Sequence, residues 1–351
     1  MIKEIKIGNY TISNKSKAFI IAELSANHNG SLEIAIETIK AAKRAGADCI
    51  KLQTYTPDTI TIDSKNEDFL LTQGTIWDGK YLYDLYKEAY TPWEWHEKLF
   101  KVAKDEGLEC FSSPFDKTAV DFLEKHDVPA YKIASFEITD IPLIEYVASK
   151  GKPIIISTGI AIHEDIQLAL NACERMNNHQ VILLKCTSSY PAPINEANLI
   201  TIKDMSQKYG LMTGLSDHTI GSIAPIVSIA FGSKVIEKHF ILDRSVGGPD
   251  SSFSMDEKEF KDMVESVRKA ELSIGKVDYS LSEKQKVSKF HCRSLYVVNN
   301  IKKGDIISEE NVLSKRPGFG LHPKHYNEIL GKTALRDVFK GDRFTIDIVK
   351  V

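Results

Sequence analysis

The chain has 351 residues, 42% of them apolar and 26% charged, with a formal net charge of −3. That length allows two domains and a large buried core, and the charge, without any long basic run, gives no reason to expect nucleic acid. No run of about eighteen apolar residues is present to span a membrane.

Residues 1–17 are polar and charged and lack the apolar core of a signal peptide. Ile5, Ile7, Tyr10 and Ile12 around Gly8-Asn9 predict a short hairpin. The five cysteines (Cys49, Cys110, Cys173, Cys186 and Cys292) are odd in number and form no CxxC, so they read as reduced thiols of a cytoplasmic protein.

From residue 18 a pattern repeats. Short runs rich in Ile, Val and Leu lie near 18–24, 47–53, 108–112, 129–134, 153–157, 181–186, 211–216 and 234–239. Amphipathic segments separate them. Ile34, Ile36, Ile39, Ala42 and Ala45 fall near helical spacing within 32–45. Residues 92–106 open on Pro92 and close before Gly107, and Asp116 is a candidate N-cap for a helix over 117–125. Helices also fit 139–149, 163–176, 197–208, 221–231 and 256–273. Eight strand–helix alternations over residues 18–274, close to the typical length of about 250, predict a (β/α)₈ TIM barrel. An open doubly wound sheet is the rival, but no Gly-rich phosphate fingerprint follows an early strand.

One connection, between the second strand and the helix at 92, is unusually long. It carries Gly74-Thr75-Ile76-Trp77-Asp78-Gly79-Lys80 and the aromatic-rich stretch Tyr81 to Tyr86. Long βα loops of a barrel usually carry function, although a surface insertion packed by its own aromatics would read the same way. After 274 the pattern breaks. Residues 275–290 are charged and linker-like, and residues 291–351 read as a small β-rich domain. Within it Ile301–Ile307 and Val338–Phe344 are similar, which suggests two related hairpin-like units. A core this thin is expected to dock on something.

A barrel's active site lies at the C-terminal ends of its strands, and all eight apolar runs end in polar residues. They give Glu23, Ser25, Asn27 and His28; Lys51 and Gln53; Ser112 and Ser113; Lys132, Ser135 and Glu137; Ser157 and Thr158; Lys185, Thr187 and Ser188; Ser216, Asp217 and His218; and Glu237, Lys238 and His239. A Ser or Thr there is ordinarily a helix cap. Lysines at three strand ends are harder to dismiss, because inward charges are costly unless they meet ligands or each other. Lys51, Lys132 and Lys185 converging would make an anion site, with Ser157, Ser188 and Ser216 completing a phosphate cradle. His218 and His239 are twenty-one residues apart, which is no local metal motif but is one βα unit. Two imidazoles leave a metal with open positions, and the nearby carboxylates Glu23, Asp217 and Asp250 favour Mn²⁺ or Mg²⁺ over zinc.

With these residues in view, the chain resembles the sialic acid synthase family. The matching segments include Ile21 to His28, Lys51-Leu52-Gln53-Thr54, Phe111 to Asp116, Lys132 to Glu137, Ser157-Thr158-Gly159 and Lys185 to Ser188. Tyr190-Pro191, Gly214 to Thr219, Glu237-Lys238-His239-Phe240, Gly247 to Asp250 and Arg316-Pro317-Gly318 match as well. The resemblance implies a barrel followed by a small antifreeze-like (SAF) domain, in a homodimer whose SAF domain covers the partner's active site. It implies condensation of phosphoenolpyruvate with an open-chain N-acetylated amino sugar, giving a nine-carbon 2-keto sugar acid and phosphate.

Carried over by position, the resemblance puts a divalent metal on His218 and His239, and phosphoenolpyruvate on Lys51, Lys132, Ser135, Ser157, Ser188 and Ser216. Glu23 falls at the position linked to the attacking water and the sugar. Gln53, Glu137, Tyr190 and Asp250 fall on the sugar side, and Arg316 at the arginine that reaches the sugar's N-acetyl group from the partner. Ser188 departs from the pattern, since sialic acid synthases proper tend to carry asparagine there. Residues 72–95 resemble the branch of the family whose sugar is 2,4-diacetamido-2,4,6-trideoxy-L-altrose. The alternatives are a sibling enzyme using N-acetylmannosamine or the legionaminic acid precursor, a metal-dependent aldolase on the same barrel, and a non-enzymatic carbohydrate-binding protein. The family's usual context is decoration of glycans or flagella.

Overall fold

A computed structural model describes residues 4–350. The chain divides into two compact units, Met1–Gly275 and Lys276–Val351. The predicted N-terminal segment falls in the first unit, with residues 1–3 outside the described range.

The first unit opens with an antiparallel hairpin, β1 (Glu4–Ile7) and β2 (Tyr10–Ser13), turning at Gly8 and Asn9. Eight parallel strands follow: β3 (Phe19–Glu23), β4 (Cys49–Thr54), β5 (Glu109–Pro114), β6 (Tyr131–Ile133), β7 (Ile154–Ser157), β8 (Val181–Cys186), β9 (Met212–Asp217) and β10 (Val235–His239). They close into a barrel in which β10 pairs with β3. The alternation read from the sequence is therefore a TIM barrel, and each strand lies within two residues of its apolar run.

The helices form where caps and spacing direct. Ser31 accepts a hydrogen bond from the Ile34 amide at the start of Leu32–Arg44, which buries Ala35, Thr38, Ile39, Ala41 and Ala42 against the strands. Asp116 accepts from the Thr118 and Ala119 amides and caps Lys117–Glu124. Pro92 sits one step further out than expected, capping a 3₁₀ turn (Trp93–Trp95) that leads into the helix His96–Asp105.

Two apolar layers surround the strands. One joins Ile20, Ala22, Ile50, Leu52 and Ile236 to helical residues such as Ile39, Leu99 and Phe260. The other includes Phe19, Ile21, Cys49 and Phe111, and Ile5, Ile7 and Ile12 of the hairpin join it, so the hairpin stoppers the N-terminal end of the barrel. Gly214 is forced by this packing: a Cβ there would overlap the Val235 carbonyl oxygen and come within 2.8 Å of Leu184 Cδ2. Among the described residues no helix is long and apolar enough to cross a membrane.

The second unit opens with a short helix, Glu283–Ser288, within the segment that reads as a linker, and has its own core around Leu295, Val297, Ile301, Val338 and Phe344. β11 (Ser294–Val297) pairs antiparallel with β12 (Val312–Lys315). The two similar stretches are matching turns. Asp305 accepts from the Lys302 amide and Asp342 from the Phe339 amide, both at 2.8 Å. Gly304 and Gly341 each take a positive φ, +94° and +96°, which glycine tolerates without strain. The turns pair with one another through Ile301 and Val338 instead of each forming a separate hairpin.

Candidate active site

Side chains alternate across a strand, so residues two apart share a face. Lys51 and Gln53 share one on β4, and Glu237 and His239 share one on β10. Register sets His239 beside Glu23 and Glu23 beside Lys51, so three strands deliver their polar ends to one place.

The centre is a buried charge cluster. Lys51 Nζ lies 2.6 Å from Glu23 Oε2, an approach off the hydrogen-bonding direction, and 3.6 Å from Glu237 Oε1. It also donates to Ser113 Oγ at 3.3 Å. Lys132 Nζ lies 3.7 Å from the same Glu237 oxygen, which Ser216 Oγ reaches at 3.3 Å. Gln53 Nε2 donates to Glu23 Oε1 at 3.0 Å and to Ser25 Oγ at 2.9 Å. Burial pushes the Glu23 carboxyl up to about 7, against the pull of Lys51 and with the help of Glu237. Burial acts the same way on Glu237, but Lys132 and Lys51 outweigh it and hold that carboxyl below its ordinary range. Burial also lowers Lys132. One carboxylate is thus fixed as a counter-ion, while its neighbour is poised to exchange a proton near neutrality.

A hydroxyl pocket adjoins the cluster. Ser188 Oγ donates to Ser135 Oγ at 2.6 Å, and the Ile160 amide donates to the same Ser135 oxygen at 3.2 Å. Gly159 keeps this space open, since a Cβ there would overlap Ser188 Oγ and lie 2.6 Å from Ser135 Oγ. Ser157 Oγ is buried without a partner.

The two histidines face each other with ring centroids 5.3 Å apart. His218 Nδ1 lies 3.0 Å from the Thr187 carbonyl, which can only accept, so that nitrogen carries a proton and Nε2 is the one left to coordinate in the neutral ring. His239 Nδ1 is buried without a hydrogen-bond partner and lies 3.7 Å from Asp250 Oδ2. Burial holds His239 well below the ordinary imidazole range, so its ring is neutral. No group of three or more His, Cys, Asp or Glu is arranged to hold a metal among the described residues. The chain therefore offers a cation two imidazoles, one orphaned and one with its tautomer fixed, and leaves further positions to substrate or water. That donor set fits a catalytic divalent metal.

Six buried side-chain polar atoms lack a hydrogen-bond partner among the described residues: Glu23 Oε2, Asn27 Oδ1, Glu137 Oε2, Ser157 Oγ, Glu237 Oε2 and His239 Nδ1. All belong to residues at or just beyond the C-terminal ends of β3, β6, β7 and β10. Buried polar groups are ordinarily satisfied, and an uncompensated one costs about 1–3 kcal/mol. Glu23 Oε2 has the Lys51 ammonium as an ionic neighbour, and the other five, at one mouth, mark a surface shaped for polar ligands.

The expected convergence of three lysines is corrected to two. Lys185 lies on the opposite face of β8 from Cys186 and donates to the Cys186 carbonyl at 2.5 Å and to Thr187 Oγ1 at 3.2 Å. Lys238 likewise alternates away from His239 and pairs with Asp217 at 2.5 Å. His28 turns aside, accepting from the Gly30 amide and packing edge-on against Trp95. Tyr190 stands 4.4 Å from His218 ring to ring, and Asp250 is buried beside His239. Arg316 belongs to the second unit, exposed just past β12. Glu237, which the sequence places among the polar strand ends and on one face with His239 but to which it assigns no role, is central to the cluster. Cys186, 3.8 Å from both His218 Nδ1 and Ser188 Oγ, and Phe253, 4.9 Å from His239 ring to ring, gave no comparable signal.

The NeuB family model matches residues 38–279, and the SAF domain model matches residues 293–347. The pseudaminic acid synthase of Campylobacter jejuni subsp. jejuni serotype O:23/36 (strain 81-176) is 50% identical over 338 residues, covering 96% of this chain and 98% of its own. An N,N'-diacetyllegionaminic acid synthase of Legionella pneumophila is 35% identical, covering 92% of each. The crystal structure of an N-acetylneuraminic acid synthetase from Leptospira borgpetersenii in complex with citrate superposes with a TM-score of 0.72 at 30% identity, covering 81% of this chain and 94% of that one.

Proposed function

Since this chain belongs to the NeuB family and carries a SAF domain behind its barrel, we propose that it is a pseudaminic acid synthase. It condenses phosphoenolpyruvate with open-chain 2,4-diacetamido-2,4,6-trideoxy-L-altrose and water, giving pseudaminic acid and phosphate. The higher identity to a pseudaminic than to a legionaminic acid synthase favours this sugar. The observation that carries the chemistry is the orphaned polar mouth, where two buried lysines and a hydroxyl pocket meet a carboxyl poised near 7.

Lys51 and Lys132 take the anionic groups of phosphoenolpyruvate, and Ser135, Ser157, Ser188 and Ser216 orient it. Gln53, Glu137, Tyr190 and Asp250 line the sugar side. A divalent metal, Mn²⁺ or Mg²⁺, held by His218 and His239 would supply Lewis-acid polarisation of the sugar aldehyde. C3 of the enol forms a bond to the aldehyde carbon as its C=O π bond breaks and the oxygen takes up a proton to become a hydroxyl, and a water oxygen adds to C2 while Glu23 takes its proton. The C2–O bond to phosphate then breaks as the C2 hydroxyl loses its proton and becomes the keto oxygen, and the two lysines stabilise the departing charge.

Ile160, Ile162, Ile194, Ile200, Ile220 and Ile223, all exposed beyond the ends of β7, β8 and β9, support a homodimer in which such a face is covered and Arg316 serves the partner's site. Five free cysteines fit the cytoplasm, with glycan or flagellin decoration downstream of the product.

Mass analysis of products from phosphoenolpyruvate and a panel of amino sugars tests the reading. The expected result is a nine-carbon product from the diacetamido sugar, with one phosphate released per turnover. A clear preference for N-acetylmannosamine, or turnover of free pyruvate, defeats it. Chelation, and separately His218→Ala, should each abolish turnover and leave the fold intact.

A further inference from the structure

We propose that Trp77 is a specificity-determining residue, which selects a sugar whose terminal carbon carries no hydroxyl. This rests on the sugar-condensing reading above and deepens it. Residues 72–80 are exposed throughout except for Trp77, which is half-buried. Asp78 fixes the loop's shape, accepting from the Gly74 amide at 2.8 Å, the Thr75 amide at 2.9 Å and Thr75 Oγ1 at 2.8 Å. Its strand-like base is tied by Leu71 and Lys80. The loop is thus a built support that directs one large side chain inward.

The indole then reaches across the barrel mouth. Trp77 Nε1 donates to the Pro249 carbonyl at 3.1 Å, joining the loop after β4 to the loop after β10. The Trp77 ring lies 5.5 Å from Tyr190, and Tyr190 lies 4.4 Å from His218 and 5.4 Å from Phe253. These aromatics form a wall on the histidine side, and the lysines and their carboxylates form the other side.

The polar chemistry of Trp77 is already used. Indole has one donor and no acceptor, and that donor is spent on Pro249. What remains is an apolar face, which receives C–H groups and has nothing to offer a hydroxyl. A hydroxyl pressed against it gives up water without replacement. The reacting end of the sugar lies at the histidines and Glu23, so its far end runs outward past Tyr190 to Trp77. A terminal methyl suits that position, and a hydroxymethyl does not.

The test compares kcat/KM for 2,4-diacetamido-2,4,6-trideoxy-L-altrose and its 6-hydroxy counterpart in wild type, Trp77→Ala and Trp77→Phe. Wild type should prefer the deoxy sugar by about tenfold to a hundredfold, the range a hydrophobic contact can supply. Trp77→Ala should bring the ratio close to one, by losing rate on the deoxy sugar and relieving the desolvation of the 6-hydroxy sugar, and Trp77→Phe should keep part of the preference. Adding the deoxy sugar without phosphoenolpyruvate should change tryptophan fluorescence in wild type and not in Trp77→Phe. An unchanged ratio in Trp77→Ala, an equal loss on both sugars, or a fluorescence response that survives in Trp77→Phe overturns the proposal. A wild type that turns over neither diacetamido sugar with phosphoenolpyruvate, yet accepts another, overturns the functional reading itself.

Discussion

The two ends of the barrel are made by the same eight strands and treat polar groups in opposite ways. At the N-terminal end Ile5, Ile7, Ile12 and Phe19 fill the opening, and the polar groups around it are paired. Asp48 accepts from the Ile20 amide at 2.9 Å and from Arg268 at 3.0 Å, and Asn178 donates to the carbonyls of Ala148 and Lys152. At the C-terminal end two lysines and two glutamates are buried together, and the six buried polar atoms without a hydrogen-bond partner among the described residues collect there. One end is built for stability. The other holds buried charges and polar atoms with hydrogen-bonding capacity left over, at a standing cost to the fold.

The sharpest way to break this contrast is to remove one inward lysine and one outward lysine. Lys132→Met should lower kcat/KM by about 10²–10³-fold, the scale seen when a group stabilising transition-state charge is lost. Lys185→Met should lower it by less than about tenfold. Steady-state kinetics with circular dichroism as a folding control checks both. Equal losses would mean that strand parity does not separate their roles.

The N-terminal end should answer in stability instead. Ile7 is fully buried, and Ile7→Ala should cost about 2–5 kcal/mol in denaturant unfolding, with kcat of the folded enzyme unchanged.

The pH dependence of stability should also come from the C-terminal end. Burial raises the Glu137 carboxyl from its ordinary 4.5 to about 7. Between those values the folded carboxyl holds a proton that the unfolded one has released, so the Glu137 contribution to stability falls as pH rises from about 4.5 to about 7 and levels off above, while the buried His28 and His96, held near 4, contribute the opposite slope. The stability of wild type minus that of Glu137→Gln, from unfolding of chelator-treated protein, should therefore decline across that range. A difference that rises with pH would contradict the burial argument.

The smallest expected effect is the most diagnostic. Ser157→Ala removes a buried hydroxyl without a partner, so it should leave stability unchanged or raise it by under about 1 kcal/mol. The same change should raise KM for phosphoenolpyruvate about tenfold, since a hydrogen bond to a charged group is worth about 1.5–3 kcal/mol. Loss of stability in this variant would show that the hydroxyl is satisfied in the free protein.

Much of the scaffold was legible in the amino-acid order. Strand–helix alternation, apolar runs ending in polar clusters, and the paired Lys-Gly-Asp turns of the SAF domain are local patterns. Each follows from side-chain periodicity or from the demands of a turn. The pairing of Lys51 with Gln53 on one face, and of Glu237 with His239 on another, follows from the same period of two.

Tertiary structure decided the phase and the closure. Periodicity says that Lys185 and Cys186 take opposite faces, but not which one looks inward; the curvature of the closed barrel turns Cys186 toward His218 and Lys185 away. Nothing local sets β10 beside β3, yet that pairing brings His239 to Glu23. Nor does any spacing connect Trp77 to Pro249. Contacts between distant segments depend on how the whole sheet closes, and the pattern of any one segment carries no record of it.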